Sequence, residues 1–358
     1  MFLRYNKTIW FLIYFLPTII FILLPAVFIF LIDPLWQWNH PFHIKTWHQS
    51  FNERLQKTNY LASRTIKVDT LIVGSSRSSY MDPSKLGSKN SFNYAVSSGT
   101  ASEFAYYINY VKSRSSIPLK FILVESSFNH ALSIDKTYDI PTFYVKNAQD
   151  FTKKINNLFS KDALNLAKSV TYKPTYNNYF VHGNNFTSYR YPQRNNFSLQ
   201  QKEQEILSNL ASYKQSVYNS DFDINYSIYL KDIRTAIGNS EFAVYTTPVS
   251  KYLLMLLIKE NQWGNYKHWL QELVDEFGSV YHFMYPNILT LDDTSFNDAH
   301  HPTEATCNLI LNAINNRQKS SALDNDYYIL LNKRNFNEQL SKIKECFDSL
   351  KKDMERYR

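Results

Sequence analysis

The sequence predicts an α/β protein: a three-layer, doubly wound parallel sheet carried behind one N-terminal transmembrane helix. Three observations predict it. Five short apolar runs follow residue 68, with segments of helical length between them, the alternation expected of a parallel sheet covered by helices. Ahead of them stands an uncharged stretch of 25 residues. Behind them comes a C-terminal segment with heptad-spaced apolar residues.

Composition agrees with a folded chain. Of 358 residues, 44% are hydrophobic and 20% charged, which supplies a core and excludes disorder as the default. The formal charge of +8 is spread along the chain without a basic block interleaved with aromatics except at the extreme C-terminus, so no nucleic-acid partner is expected. The two cysteines, Cys307 and Cys346, fall in helical segments and read as separate thiols, with a disulfide unforced.

The first element is the membrane helix, residues 8–32, after a cytoplasmic tail of residues 1–7. Its 25 residues, at about 1.5 Å each, suffice for a hydrocarbon layer of about 30 Å. Pro17 and Pro25 are tolerated in such a helix, with some kinking. Arg4 and Lys7 precede it and Asp33 follows, so the positive-inside tendency places the N-terminus in the cytoplasm and the main domain outside. Trp36 and Trp38 fall where an interfacial aromatic belt would lie. No small-x-small cleavage site follows, which favours a retained anchor over a cleaved signal peptide. The expected location is single-pass in the inner (cytoplasmic) membrane, with a periplasmic or otherwise extracytoplasmic domain.

Residues 33–67 read as a juxtamembrane connector with one helix around 51–63. His40, His43 and His48 lie there without the Cys or carboxylate spacing of a metal site. The α/β domain spans 68–317. Its apolar runs are 70–73, 92–96, 119–124, 241–246 and 279–284, and its helical segments 101–112, 224–237 and 252–277. The interval 128–220 is too long for a connection and is read as a helical insertion. Tyr172, Tyr176, Tyr179, Tyr189 and Tyr191 within it suit either a stacking wall for a sugar or ordinary packing. In the segment 318–358, Phe336, Leu340, Ile343, Phe347, Leu350, Met354 and Tyr357 repeat at 4-3-4-3-4-3 spacing on a basic amphipathic helix. That seam requires a partner: its own domain, a second copy or an anionic membrane.

Two short blocks carry chemistry. The first run passes directly into Gly74-Ser75-Ser76-Arg77, placing Ser76 at the carboxyl end of a parallel strand before an expected helix. There a hydroxyl lies near free backbone N–H groups, although a serine so placed also serves as a helix cap. Far downstream, Asp298-Ala299-His300-His301 follows the last run and precedes a helix reaching about residue 315. An Asp three residues before a His can hold the imidazole Nδ1–H and leave Nε2 to take a serine proton. Asp298 or Thr303 capping that helix is the competing reading.

Gly74-Ser75-Ser76 resembles the Gly-Asp-Ser block of the SGNH, or GDSL-type, hydrolase superfamily, and Asp298-x-x-His301 resembles its terminal Asp-x-x-His block. The resemblance implies an SGNH/flavodoxin-like fold, with Ser76 as nucleophile, His301 as general base, Asp298 as its orienting carboxylate and the Ser76 N–H in the oxyanion hole. His300 is the adjacent decoy. Residues 92–99 resemble the glycine block, which makes the Gly99 N–H a second oxyanion donor. The family's Gly-x-Asn-Asp block is absent: Glu125-Ser126-Ser127-Phe128-Asn129 occupies its place, with Asn129 as candidate third donor. Arg77, Asn93 and Asn129 are the candidate substrate contacts.

With its anchor, Asp33-Pro34, the Gly-Ser-Ser-Arg turn and Tyr245-Thr246-Thr247-Pro248, the chain looks like a membrane-tethered SGNH branch. That branch includes accessory proteins of alginate O-acetylation and of teichoic acid D-alanylation. The implied function is a serine acyltransferase or esterase acting on a cell-envelope glycan beside a membrane-bound O-acyltransferase. A non-catalytic scaffold or polymer-binding partner of such an enzyme is the alternative. The chemistry requires neither cofactor nor metal.

Overall fold

The computed structural model describes residues 7–40, 42, 47–49, 52–134, 141–171, 179–181, 199–316 and 327–356. The chain divides into two compact units, one of residues 1–64 with 142–175, the other of residues 65–141 with 176–358.

The N-terminal helix, Lys7–Ile32, runs through Pro17 and Pro25. Its stretch Ile13–Ile32 has a mean hydropathy of 2.8 and is 17% buried, so it is no core helix and is long and apolar enough to cross a membrane. Its C-terminal end is packed: Ile29 and Ile32, with Leu35, meet Ala163, Leu166 and Ala167. Asp33 then turns the chain in the left-handed region (φ 48) and accepts hydrogen bonds from the Gln37 and Trp38 N–H groups at 2.7 and 3.0 Å.

The connector is folded onto this turn by the helix Glu53–Ser63, whose Gln56 and Asn59 amides donate to the Pro34 and Leu35 carbonyls. Trp36 is consequently 1% exposed and edges onto Tyr60 at 5.8 Å. It belongs to the core of this unit, not to the aromatic belt its position suggested. His40 is a structural histidine: Nε2–H donates to the Phe30 carbonyl at 2.7 Å, and Nδ1 accepts the Phe42 N–H. The side chains of His43 and His48 lie outside the described residues. Residues 142–175 of the expected insertion join this unit, and the helix Leu199–Ser212 belongs to the other.

The second unit is built on a six-stranded sheet of β1 (Thr70–Val73), β2 (Ser91–Asn93), β3 (Phe121–Ser126), β4 (Glu241–Thr246), β5 (Ser279–His282) and β6 (Ile329–Asn332). The order is β2-β1-β3-β4-β5-β6; the first five are parallel and β6 is antiparallel to β5. All four residues of β1 are buried, as a strand covered on both faces requires. The sheet is therefore mixed where a parallel one was expected. The antiparallel strand lies on the apolar run Tyr327-Tyr328-Ile329-Leu330-Leu331, beyond the five runs expected to form the sheet.

The expected helix 252–277 is two helices, Lys251–Lys259 and Trp263–Phe277. They part at Asn261, which takes φ 56, a conformation Asn tolerates better than most residues. The C-terminal helix, Phe336–Arg356, docks on its own unit: Phe336, Leu340, Ile343, Phe347 and Leu350 are buried, and Phe347 meets Trp263 and Tyr266 at 5.6 Å. The Met354 side chain and Tyr357 lie outside the described residues. Cys307 is buried, Cys346 partly so, and both are free thiols.

Candidate active site

The order of strands reverses at β1, which has β2 on one side and β3 on the other. Such a switch point opens a crevice at the carboxyl ends of the strands. Gly74 leaves β1 there, and one 3-10 turn, Ser76–Ser78, takes the place of the helix expected after it. Glu125 on β3 explains the turn. A Cβ on Gly74 would stand 2.5 Å from Glu125 Oε2 and 2.8 Å from Glu125 Cβ, so glycine is required for the carboxylate to pass.

Glu125 is 1% exposed, and its carboxylate is saturated by four donors. Oε2 accepts the Ser75 N–H at 2.6 Å and the Ser78 hydroxyl; Oε1 accepts the Ser75 hydroxyl at 2.6 Å and the Ser127 hydroxyl at 2.5 Å. Burial works against its charge, but the nearby His130 and these hydroxyls outweigh it and hold the carboxyl below its ordinary range. A carboxylate only accepts, so the hydroxyls of Ser75 and Ser78 are committed to it. Ser76, between them, is not.

Ser76 Oγ stands 2.9 Å from His301 Nε2, and His301 Nδ1 stands 2.7 Å from Asp298 Oδ2. The loop that brings them is short and closed: Asn297 N–H donates to the His301 carbonyl at 2.8 Å, Asn297 Nδ2 to the Pro302 carbonyl, and Thr303 N–H to the Ser295 carbonyl. Thr303 caps the helix Glu304–Asn315, leaving Asp298 free of that task. Asp298 Oδ1 instead accepts the His300 and His301 N–H groups, both at 2.9 Å. Burial opposes its charge, but the hydrogen bond and charge of His301 prevail and hold the carboxyl far below the usual carboxylate range. Ionised Asp298 fixes the His301 proton on Nδ1, and Nε2 presents its lone pair to the Ser76 hydroxyl.

Arg77 and Asn129 line the cleft with Ser76. Arg77 is 4% exposed; Nη1–H donates to Asn129 Oδ1 at 2.7 Å and Nη2–H to the Tyr213 hydroxyl. Because a guanidinium only donates, the Asn129 atom it meets is the carbonyl oxygen, and Asn129 Nδ2 remains as a donor without a partner among the described residues. The Ser76 N–H likewise has no acceptor among them.

Two expected site residues are placed differently. Gly99 lines the cleft, but its N–H donates to the Val96 carbonyl at 2.9 Å and is no oxyanion donor. Its lack of a side chain serves packing, since a Cβ would stand 2.7 Å from the Gly74 carbonyl oxygen. Asn93 is fully buried; Nδ2 donates to the Ser78 and Met81 carbonyls at 2.8 and 2.9 Å, and Oδ1 accepts the Ala95 N–H at 2.8 Å. It braces the turn after Ser76 from behind and is not among the described residues that line the cleft. His300 lines the cleft beside Tyr213, with ring centroids 5.3 Å apart, and makes no bond to Ser76. The tyrosine wall expected at 172–191 lies outside the described residues or, for Tyr179, has no described side chain.

Glu125 and Tyr213 went unassigned in the sequence. An acid following the apolar run FILV within one strand was the available signal for Glu125. Tyr213 opens a π-helical turn, Tyr213–Val217, which leaves no mark in the hydrophobic pattern.

Asp298, His300 and His301 bring ligand atoms within 4.8 Å of one another, so a metal ion is sterically conceivable there. It would compete with the Asp298–His301 proton for the same lone pairs. A scan of the sequence against protein-family models finds no match, and a search of curated proteins finds no significant one.

Proposed function

We propose that this chain is a membrane-anchored serine acyltransferase or esterase of SGNH type, acting on a cell-envelope glycan. The observation that carries the reading is the 2.9 Å contact of Ser76 Oγ with His301 Nε2, backed by Asp298 at 2.7 Å. A site decayed into a scaffold has no reason to retain that chain of hydrogen bonds together with the Asp298 ionisation that fixes its tautomer. The parallel order β2-β1-β3-β4-β5, with Ser76 after β1 and the Asp298–His301 loop beyond β5, supports the doubly wound SGNH assignment.

In the proposed reaction Ser76 Oγ bonds to an ester carbonyl carbon while its proton passes to His301 Nε2. The carbonyl oxygen becomes an oxyanion held by the Ser76 N–H and Asn129 Nδ2. Collapse breaks the bond to the leaving alcohol, which takes the proton from His301. A sugar hydroxyl or water then attacks the acyl-serine and gives its proton to His301; the acyl–Oγ bond breaks and His301 returns that proton to Ser76 Oγ, the acceptor deciding between transfer and hydrolysis. Asp298 stays ionised throughout and steadies the imidazolium. The Arg4/Lys7 flank favours an extracytoplasmic domain, and the motif resemblance favours a membrane-bound O-acyltransferase as partner.

A fluorophosphonate probe tests the nucleophile directly. Label is expected on Ser76 of the purified full-length chain and is expected to disappear in Ser76→Ala and fall at least 100-fold in rate in His301→Ala. An unlabelled wild-type chain overturns the reading.

A further inference from the structure

The helix Lys251–Lys259, KYLLMLLIK, is apolar all round between its terminal lysines, apart from the Tyr252 hydroxyl. A soluble helix keeps one face polar, and one that does not is covered by something. Its own unit covers part of it: Leu253, Leu254 and Leu257 are fully buried, whereas Met255, Leu256 and Ile258 are half-buried. Those three, with Leu210 of the helix Leu199–Ser212, line a groove of about 590 Å³. Leu207, one turn before Leu210, is 60% exposed and prolongs the apolar stripe.

Charge around this groove has one sign. Lys214 of the π-helical turn, Lys259 and Lys351 of the C-terminal helix line it, all exposed, and no acid is among the described lining residues. Lys214 approaches Glu260 at 3.8 Å, an exposed and weak pair, while Lys259 and Lys351 meet no acid among the described residues. The volume falls in the range of about 300–1,000 Å³ common to small-molecule sites. The ten described lining residues fall short of the roughly 20–30 a side that a stable protein interface uses.

We infer that the groove binds a single anionic phospholipid, with an acyl chain against Met255, Leu256 and Ile258 and the headgroup phosphate among the three lysines. Lysine suits both halves of such a ligand, since its stem covers apolar surface while its ammonium stays in water. A chain whose helix Ile13–Ile32 is long and apolar enough to cross a membrane would have that lipid at hand. The lipid is a docking ligand and neither acyl donor nor acceptor, so the inference goes beyond the Ser76 reaction and stands without it.

The test cross-links the full-length chain in mixed micelles to phosphatidylglycerol bearing a diazirine in one acyl chain, with the same-chain phosphatidylcholine as zwitterionic control. Peptide mass spectrometry locates the label. Phosphatidylglycerol is expected to label residues 207–214 and 251–260 about fivefold or more above phosphatidylcholine, whereas the N-terminal helix takes up both lipids alike. The surface double variant Lys259→Glu/Lys351→Glu is expected to bring the groove ratio to about one. Leu256→Gln is expected to lower groove labelling by both lipids about threefold or more. Labelling confined to the N-terminal helix, equal labelling of the groove by the two lipids, or a preference that survives the double variant overturns the inference. Displacement of the label by inorganic phosphate overturns it too, by making the groove a site for free anions. So does an unlabelled groove in a chain that sediments as a dimer, which would assign this face to a second copy.

Discussion

Glu125 occupies the space a side chain at Gly74 would need, and through that gap it takes the backbone N–H of Ser75 at 2.6 Å. The strand that ends in Gly74 and the strand that carries Glu125 are thereby locked at the point from which Ser76 projects. Gly74→Ala forces two atoms of Glu125 inside van der Waals contact. It is expected to cost about 1–3 kcal/mol by overpacking and to slow Ser76 labelling, checked by denaturation and by probe kinetics on the same preparation.

Glu125→Gln keeps the shape but sets an amide N–H₂ against groups that now donate to the carboxylate. A loss of about 1–3 kcal/mol is expected from the buried donors left unmatched, read as a lower denaturation midpoint at unchanged m-value.

The two neighbouring histidines separate the proposed base from its decoy. His301→Ala removes the partner of Ser76, whereas His300 meets Asp298 through its backbone N–H and a 3.6 Å approach of Nδ1. Activity is expected to collapse in the first and to survive within about tenfold in His300→Ala. Asp298→Asn, by releasing the tautomer, is expected to cost about 10⁴-fold with the fold intact. Equal losses in both histidine variants would contradict the assignment.

His282 gives the fold an acid limit independent of the site. Its Nε2 meets the Tyr266 hydroxyl at 2.7 Å and its Nδ1 the Thr246 hydroxyl at 2.9 Å, and burial pushes the imidazole down to about 3. In the unfolded chain the ring takes its proton near its ordinary value of about 6.5. Between these values the unfolded state binds the proton that the folded state refuses, so stability falls as pH drops from about 6.5 towards 3 and is untouched above. Between pH 7 and pH 5 the wild type is expected to lose about 2 kcal/mol more than His282→Gln, measured by denaturant titration at each pH.

Phe347, 1% exposed between Trp263 and Tyr266, carries the docking of the C-terminal helix. Phe347→Ala is expected to cost about 3–5 kcal/mol. Lys342→Ala on the same helix, which breaks an exposed pair with Glu338, is expected to change stability by less than about 0.5 kcal/mol.

Much of the frame was legible because continuous apolar runs such as TLIV suit strands buried on both faces, and because an uncharged stretch of 25 residues has few roles. The Asp298–His301 relationship was legible for a local reason: a spacing of three lets a side chain fold back on its own loop. What escaped depended on contacts distant in the chain. The Gly99 N–H is spent on a turn with Val96, Trp36 is covered by a helix 17 residues beyond it, and Tyr213 reaches Arg77 across 136 positions. Periodicity reports which face of an element is buried. It does not report which buried polar atom finds which partner.

The single 3-10 turn at Ser76–Ser78 has a bearing on how charge would be managed during the reaction. Three residues align too few peptide dipoles to project a field, so a developing negative charge would be met by individual N–H groups within bonding distance and by little else. Such a site would be brittle to the loss of one donor. Its rate would be set by angstrom-scale placement, for which the glycine beneath it and the acid behind it form the foundation.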